Sequence, residues 1–482
     1  MFVGELLDER ARITPDRIAL VSVETGERLT YAQLNARAAG AAAAMRDAGL
    51  EAGDRAGLLA YNSIDFVAYF FGAMKAGVII VPLSTRATAH ELSNIAADCA
   101  MKVLFHDGEV PSAAEFSVAP IVLMTQSVAT PRPRSATDPE STACLLYTSG
   151  TTGKPKGVMI PHRQLLWNGY NTAVNWGLRE DDIAPIFTPL YHAGGLAVFL
   201  IPLFCVGGTI VLHKGFDPAE VWDVIERERC SVVLGVPTIW KMLLDAPQFA
   251  TANLERVRWF ISGGAPLPVF LIHAYRERGV PLKQGYGLTE VGVNCFTMTV
   301  DDALARPGSI GRPLLFTEVR LAGEDGEPVA DGEIGEMWIR GPHVSNGYWN
   351  NPQATADAYV DGWFRTGDLA RRDADGFFFI AGRRKEMFIS GGVNVYPAEI
   401  ESELLQHPHV SDVAVVAVAD ATWGEAGVAF VVGRGLTAPD LVEFLGSRLA
   451  KYKLPRRFVF VDALPRSAYG KVLKEELRSQ LA

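Results

Sequence analysis

Thr148-Ser-Gly-Thr-Thr-Gly-Lys-Pro-Lys-Gly157 packs four hydroxyls, three glycines and two lysines into one short stretch. Thr148, Ser149, Thr151 and Thr152 offer donors to phosphate oxygens, while Gly150, Gly153 and Gly157 let successive backbone N–H groups converge on one anion. Lys154 and Lys156 supply the positive charge a polyphosphate needs. The apolar run at 143–147 and the one at 157–160 each read as a strand, so the loop is a turn between strands. It is not a Walker A loop, because Pro155 follows Lys154 where that pattern requires Ser or Thr.

Working outward, helical and strand patterns alternate. Residues 31–48 read as an alanine-rich helix, 55–59 as a strand, 63–75 as a helix and 78–82 as a strand. The same alternation returns at 218–229, 231–235, 238–244 and 257–262, which implies βαβ units in two similar halves with largely parallel sheets. The proline-rich segment 117–139 reads as an unstructured connection between subdomains. From Gly308 the texture changes to short strands with glycine turns, at 318–321, 336–339 and 377–380, as in a small barrel-like unit. Beyond Gly382-Arg-Arg-Lys385 come a helix (397–406), a strand (410–418), a helix (439–450) and a strand (457–461). The expected fold class is α/β: a large N-terminal domain (1–384) of two α/β subdomains plus a small β-barrel-like subdomain, then a small mobile α+β C-terminal domain (385–482).

Composition narrows the function. A chain of 482 residues with 49% apolar content exceeds what one core accommodates. A net charge of −10 argues against a nucleic-acid partner. The cysteines lack metal-ligand spacing and lie in apolar runs, which suits reduced core residues and a cytoplasmic location. Early charges at Glu5, Asp8, Glu9, Arg10 and Arg12 do not fit a signal peptide. Residues 186–212 carry no charge apart from a protonatable His192, yet glycines and Pro202 interrupt them, so a buried α/β unit is expected rather than an integral membrane segment.

Further motifs bear chemistry. In Gln284-Gly-Tyr-Gly-Leu-Thr-Glu290, Tyr286 offers an aromatic face for a base, Thr289 a hydroxyl for a phosphate, and Glu290 a hard oxygen for Mg2+. Ser262-Gly-Gly-Ala-Pro266 closes a predicted strand. Asp368, in Arg365-Thr-Gly-Asp368, together with Arg383 makes a clamp suited to ribose hydroxyls. Lys471 ends Pro465-Arg-Ser-Ala-Tyr-Gly-Lys471.

On these motifs the chain resembles the adenylate-forming (AMP-binding) enzyme superfamily, and within it the acyl-CoA synthetase branch. The resemblance implies ATP, Mg2+ and coenzyme A as co-substrate, with residues 148–157 on the β- and γ-phosphates and Thr152 and Glu290 as metal ligands. It implies Gly264, Ala265, Pro266, Tyr286 and Gly287 around adenine, Asp368 and Arg383 on ribose, and Thr289, Glu290 and Lys471 in catalysis, Lys471 reaching the substrate carboxylate and α-phosphate. Lys385 stands at the family's hinge, and Gly391 and Gly392 in the loop along which pantetheine passes. Tyr469 departs from the pattern, where a serine or similarly small residue often stands. The acyl pocket is expected near His192, Gly194, Gly263 and Gly292. His192 replaces the aspartate of the amino-acid-activating branch, and the surrounding small residues favour a fatty or aryl acid in a roomy apolar pocket. Lys283, the nearby cation, is expected to point out of a strand end.

The implied activity is that of an AMP-forming carboxylic acid:CoA ligase. The alternative is a stand-alone adenylating enzyme that loads a carrier-protein phosphopantetheine. A non-catalytic nucleotide-binding protein is disfavoured by Lys471, Glu290 and Asp368. The implied partners are the acid, ATP and CoA, and a homodimer is compatible with the sequence.

Overall fold

The computed structural model describes residues 2–114, 116, 119–130, 138–148, 155–420, 422–466 and 472–481. Strands Thr142–Thr148 and Lys156–Pro161 form an antiparallel hairpin whose last pair is Thr148 with Lys156. The phosphate-loop residues Ser149, Gly150, Thr151, Thr152, Gly153 and Lys154 lie outside the described residues. The hairpin closes one edge of a sheet ordered Ile121–Leu123, Val103–His106, Arg55–Leu59, Ile79–Pro82, Thr142–Thr148, Lys156–Pro161, parallel up to the hairpin.

Ile121–Leu123 corrects the reading of 117–139 as structureless. Its apolar, partly β-branched run forms an edge strand, where a flanking Pro120 removes no ladder bond; the Pro120 carbonyl still accepts from Leu104 N–H at 2.9 Å.

A second sheet runs Arg28–Thr30, Ile18–Ser22, Thr209–Leu212, Ile183–Ile186. It is tied to a third, parallel sheet of Val232–Gly235, Trp259–Ser262 and Leu282–Gln284 by Ser231 N–H donating to Ile183 O at 2.8 Å. Helices fill the space between these layers because their sequences allow close approach. Ile64–Ala76 is capped by the Ser63 hydroxyl, which accepts from Phe66 N–H, and ends at Gly77 with φ 80°. It crosses the alanine-rich helix Tyr31–Asp47 so tightly that a Cβ on Gly72 would stand 2.7 Å from Ala41 Cβ and 2.9 Å from Ala38 O. The core built there holds Phe66, Phe70, Phe71, Phe105 and Phe204.

Segment 186–212 folds as a buried turn, a short helix Ala193–Gly195, a π-helical turn Leu196–Leu200, helix Ile201–Val206 and strand Thr209–Leu212. Among the described residues no helix is long and apolar enough to cross a membrane.

The barrel-like unit is an antiparallel sheet ordered Phe296–Thr297, Ser309–Pro313, Phe378–Arg383, Trp363–Arg372, Ile334–Arg340, Glu318–Ala322, with Tyr359–Val360 also paired to Trp363–Arg372. In the C-terminal region Val410–Asp420 pairs along Gly424–Gly433, the latter absent from the sequence expectation. Its glycines and the turn at 422–423 just before it obscure an otherwise apolar strand. Arg457–Phe460 adds in parallel, and helices Pro397–Leu404 and Ala438–Gly446 cover one face.

Gly72→Val should cost about 1–3 kcal/mol through overpacking of the two-helix seam, measured by chemical denaturation, whereas substitution at Gly26, whose Cβ would meet no atom within 4 Å, should act only through backbone strain.

Candidate active site

The strand Trp363–Arg372 sets Asp368 directly opposite Arg383 on Phe378–Arg383. Arg383 Nε donates to Asp368 Oδ1 at 2.6 Å, and the Tyr286 hydroxyl donates to Oδ2. Asp368 N–H is in turn held by Thr366 Oγ1 at 3.0 Å, and the side chain is buried. A buried carboxylate held between a guanidinium and a phenol is an acceptor of the kind that ribose hydroxyls require. Burial, then the Asp368 charge, push the Tyr286 hydroxyl well above its ordinary range, so it stays a donor. Its ring stands edge-on to Phe296 at 5.6 Å. The tyrosine therefore orients Asp368 as well as offering a face.

The motif 284–290 leaves strand Leu282–Gln284 and ends in a short 3-10 turn, Thr289–Val291. Glycine is obligatory at Gly287, where a Cβ would sit 2.2 Å from Val293 O. Gly292 has φ 64°, and a Cβ there would lie 2.9 Å from His343 O. Four neighbours fix the turn: Gln164 Nε2 donates to Thr289 O at 2.8 Å, Ser345 N–H to Glu290 O at 2.8 Å, Tyr348 Oη to Glu290 Oε1 at 3.0 Å, and buried His343 Nδ1 to Val291 O. Lys156 lies 5.2 Å over the Tyr348 ring, which brings the end of the phosphate loop beside Glu290.

Among the described residues Glu290 makes no salt bridge, and no cluster of three His, Cys, Asp or Glu side chains could hold a metal unaided. One unneutralised carboxylate beside a phosphate loop suits Mg2+, which binds through one or two carboxylates plus phosphate oxygens. The other expected ligand, Thr152, and the expected catalytic Lys471 lie outside the described residues.

Gly264, Ala265 and Pro266 are exposed, with Gly264 at φ 80°. Leu267 N–H donates to Gln284 Oε1 and Gly285 N–H to Ser262 O, so this segment and Tyr286 share one rim. His192 stands before helix Ala193–Gly195 with its ring 4.9 Å from that of Tyr191. Burial, with the Arg86 charge beside it, pushes His192 down to about 4. It is neutral at physiological pH and offers an aromatic ring rather than a cation. Gly194 and Gly263 face open space, whereas a Cβ on Gly195 would stand 2.2 Å from Pro189 O.

The cavity beyond Ala193, Leu196, Gly292 and Val293 is apolar but narrow, closed by Leu146 and Ile160 and flanked by Gln164 and Asn168. Asn168 and Asn294 donate to the Ala197 and Val198 carbonyls of the π-helical turn. Gly391 and Gly392, with φ 60° and 80°, form the exposed turn between strands Phe388–Ser390 and Val393–Val395. Those strands belong to the C-terminal sheet rather than to the barrel-like one.

The placement of Lys283 is a correction. Instead of pointing out of its strand it is buried 4.1 Å above the Trp259 ring, with Met298 O at 3.4 Å. Its aliphatic stem packs well, and burial pushes the ammonium down to about 8. Sequence reasoning also missed Gln164, His343, Ser345 and Tyr348. His343, Ser345 and Tyr348 come after Arg340-Gly-Pro, where a loop after a strand is the one available signal.

Two family models match the chain: the AMP-binding enzyme over residues 7–349 and the AMP-binding enzyme C-terminal domain over 399–471. A feruloyl-CoA synthase of Amycolatopsis sp is 40% identical over 477 residues, 97% of each chain. A long-chain-fatty-acid–CoA ligase of Mycobacterium tuberculosis is 38% identical, covering 99% of this chain and 98% of its own. An O-succinylbenzoate coenzyme A synthetase of Bacillus subtilis, solved with ATP and magnesium ion, superposes with a TM-score of 0.92 at 32% identity, covering 98% of this chain and 99% of its own. The chain belongs to the AMP-binding enzyme family. It is an AMP-forming acid–thiol ligase that uses ATP, Mg2+ and coenzyme A.

Lys283 binds its proton more weakly folded than unfolded, so its burial costs stability wherever the unfolded lysine is charged and the folded one must lose or bury that charge. Lys283→Met should therefore be more stable than wild type by a few kcal/mol below pH 8. The difference should shrink as pH rises from about 8 towards the unfolded value of about 10.4, read from denaturation curves across that range.

Proposed function

We propose that this ligase activates a fatty or aryl carboxylic acid in the cleft between Asp368, Glu290 and His192. The observation that carries the reading is the Asp368–Arg383–Tyr286 clamp, set on one rim with a Glu290 carboxylate that has no cationic partner among the described residues. Asp368 takes the ribose hydroxyls, and the segment 264–266 with Tyr286 and Gly287 frames the adenine.

The carboxylate oxygen of the acid attacks the α-phosphorus of ATP, and the bond to the β-phosphate oxygen breaks, giving acyl adenylate and pyrophosphate. Both reactants are anions, so their approach needs charge compensation where it develops. Lys154 and Lys156 hold the leaving phosphates, Thr289 the α-phosphate, and Lys471 the reacting carboxylate. Glu290 and Thr152 would hold Mg2+, which when bound neutralises phosphate charge. In the second step a thiol attacks the acyl carbon and AMP leaves, the thiol arm passing the Gly391-Gly392 turn after rotation about Lys385, the boundary between domains 1–384 and 385–482. The feruloyl and fatty-acid relatives are a CoA synthase and a CoA ligase, which favours CoA over a carrier-protein phosphopantetheine as acceptor.

A neutral His192 where the amino-acid-activating branch has an aspartate disfavours an α-amino acid, while the open space at Gly194 and Gly263 gives an acyl group room that the narrow cavity behind does not. The buried, unpaired cysteines suit a cytoplasmic enzyme; a homodimer would not alter these assignments.

Lys471→Ala should abolish ATP–pyrophosphate exchange yet leave thioester formation from supplied acyl adenylate nearly intact; equal loss of both would remove the lysine from its role. A panel of fatty and aryl acids assayed for CoA-dependent AMP release identifies the substrate. Gly194→Phe should shift that panel towards smaller acids with little change in melting temperature, and an unaltered preference would place the acyl pocket elsewhere.

A further inference from the structure

The described residues on either side of the segment that carries Lys471 are held in place. Arg466 and Val472 form a β-bridge, Leu473 N–H donates to Pro465 O at 2.9 Å, and Arg466 Nη2 meets Asp412 Oδ2 at 2.6 Å. Lys474 then opens the helix Lys474–Ser479, an unfavourable place for a cation because the N-terminal end of a helix is itself positive. Instead of turning to solvent, its ammonium is held between Glu386 Oε2 at 2.6 Å and Glu401 Oε1 at 2.8 Å, with only 17% of the side chain exposed.

Glu386 is the informative partner. It comes directly after Lys385, and its N–H donates to Arg383 O at 3.0 Å. Against the opposing effect of burial, the charges of Lys474, Arg383 and Lys385 hold its carboxyl below the usual range. One carboxylate thus grips Lys474 and at the same time lies within the field of the Arg383 guanidinium. On the other side of Lys385, Arg384 Nη1 pairs with Glu336 Oε2 of the barrel-like unit at 3.0 Å.

We propose that Lys474 is a positioning residue for adenylation: clamped by Glu386 and Glu401, it registers the Lys471 loop against the segment that bears Arg383. The proposal rests on the reading of Lys471 as the adenylating lysine. Thioester formation uses the Gly391-Gly392 turn instead and does not need that register.

The test compares Lys474→Met, Lys474→Arg and Lys471→Ala in the full chain, with the acid that gives the fastest AMP release and its synthetic adenylate. Lys474→Met should lower the adenylation kcat about 10- to 100-fold, as a misplaced catalytic group does, while KM for ATP and thioester formation from the adenylate hold. Lys474→Arg should restore most of the loss. If Lys474→Met folds poorly, the nearly isosteric Glu386→Gln removes one arm of the clamp and should show the same split. Equal loss of both half-reactions would make the clamp merely a support of the C-terminal fold and overturn the proposal, as would unchanged adenylation. Should Lys471→Ala leave adenylation intact, the reading of Lys471 fails first; should it abolish adenylation while Lys474→Met does not, this proposal alone falls.

Discussion

The ion pair between Asp368 and Arg383 is the contact on which the site depends. It joins adjacent strands at the end of the barrel-like unit, so its geometry is set by sheet register rather than by the reach of two flexible side chains. An isolated carboxylate at such burial would be costly, and Arg383 with the Tyr286 hydroxyl offsets that cost. Because Tyr286 belongs to the motif that ends in Glu290, the same contact fixes the Asp368 end of the cleft relative to the Glu290 end. Loss of register here would disturb every other group in the cleft.

Around this pair the enzyme separates rigid duties from adjustable ones. The loop from Gly341 to Ser345 exists largely to hold a single turn: His343 accepts from Thr317 through one ring nitrogen and donates to Val291 O through the other, while Ser345 holds Glu290. Arg163 braces that loop at the Pro342 and Val344 carbonyls. The buttress carries no chemistry of its own. It makes the position of Glu290 independent of solvent and of side-chain rotamers.

Much of the architecture was legible because it reflects periodicity. The alternation at 31–82 and 218–262 pointed to the parallel sheets, and the motif residues Thr148, Arg383 and Glu290 fall where strand ends and turns put them, with Asp368 inside the strand that pairs with Arg383. Features that stayed hidden depend on partners distant in sequence. Nothing near Lys283 predicts the Trp259 ring that covers it, and nothing local to Gly424–Gly433 predicts that Val410–Asp420 will pair along its length. Gln164 reads as an ordinary polar helix residue until Thr289, far along the chain, takes its amide. Chemistry concentrated in a contiguous motif can be read from sequence; support assembled from scattered residues cannot.

The widened turn at Leu196–Leu200 has a consequence for how such an enzyme can diversify. An extra residue in a helical turn offsets the angular register of the residues before it from that of the residues after it, and here the carboxamides of Asn168 and Asn294 hold carbonyls in that turn. Ala193 ahead of it lines the cavity proposed to face the acyl group, while Ile201, Leu203 and Phe204 behind it stay locked into the aromatic core. The turn acts as a mechanical coupling with slack, so changes on the pocket side need not rotate the core-facing helix.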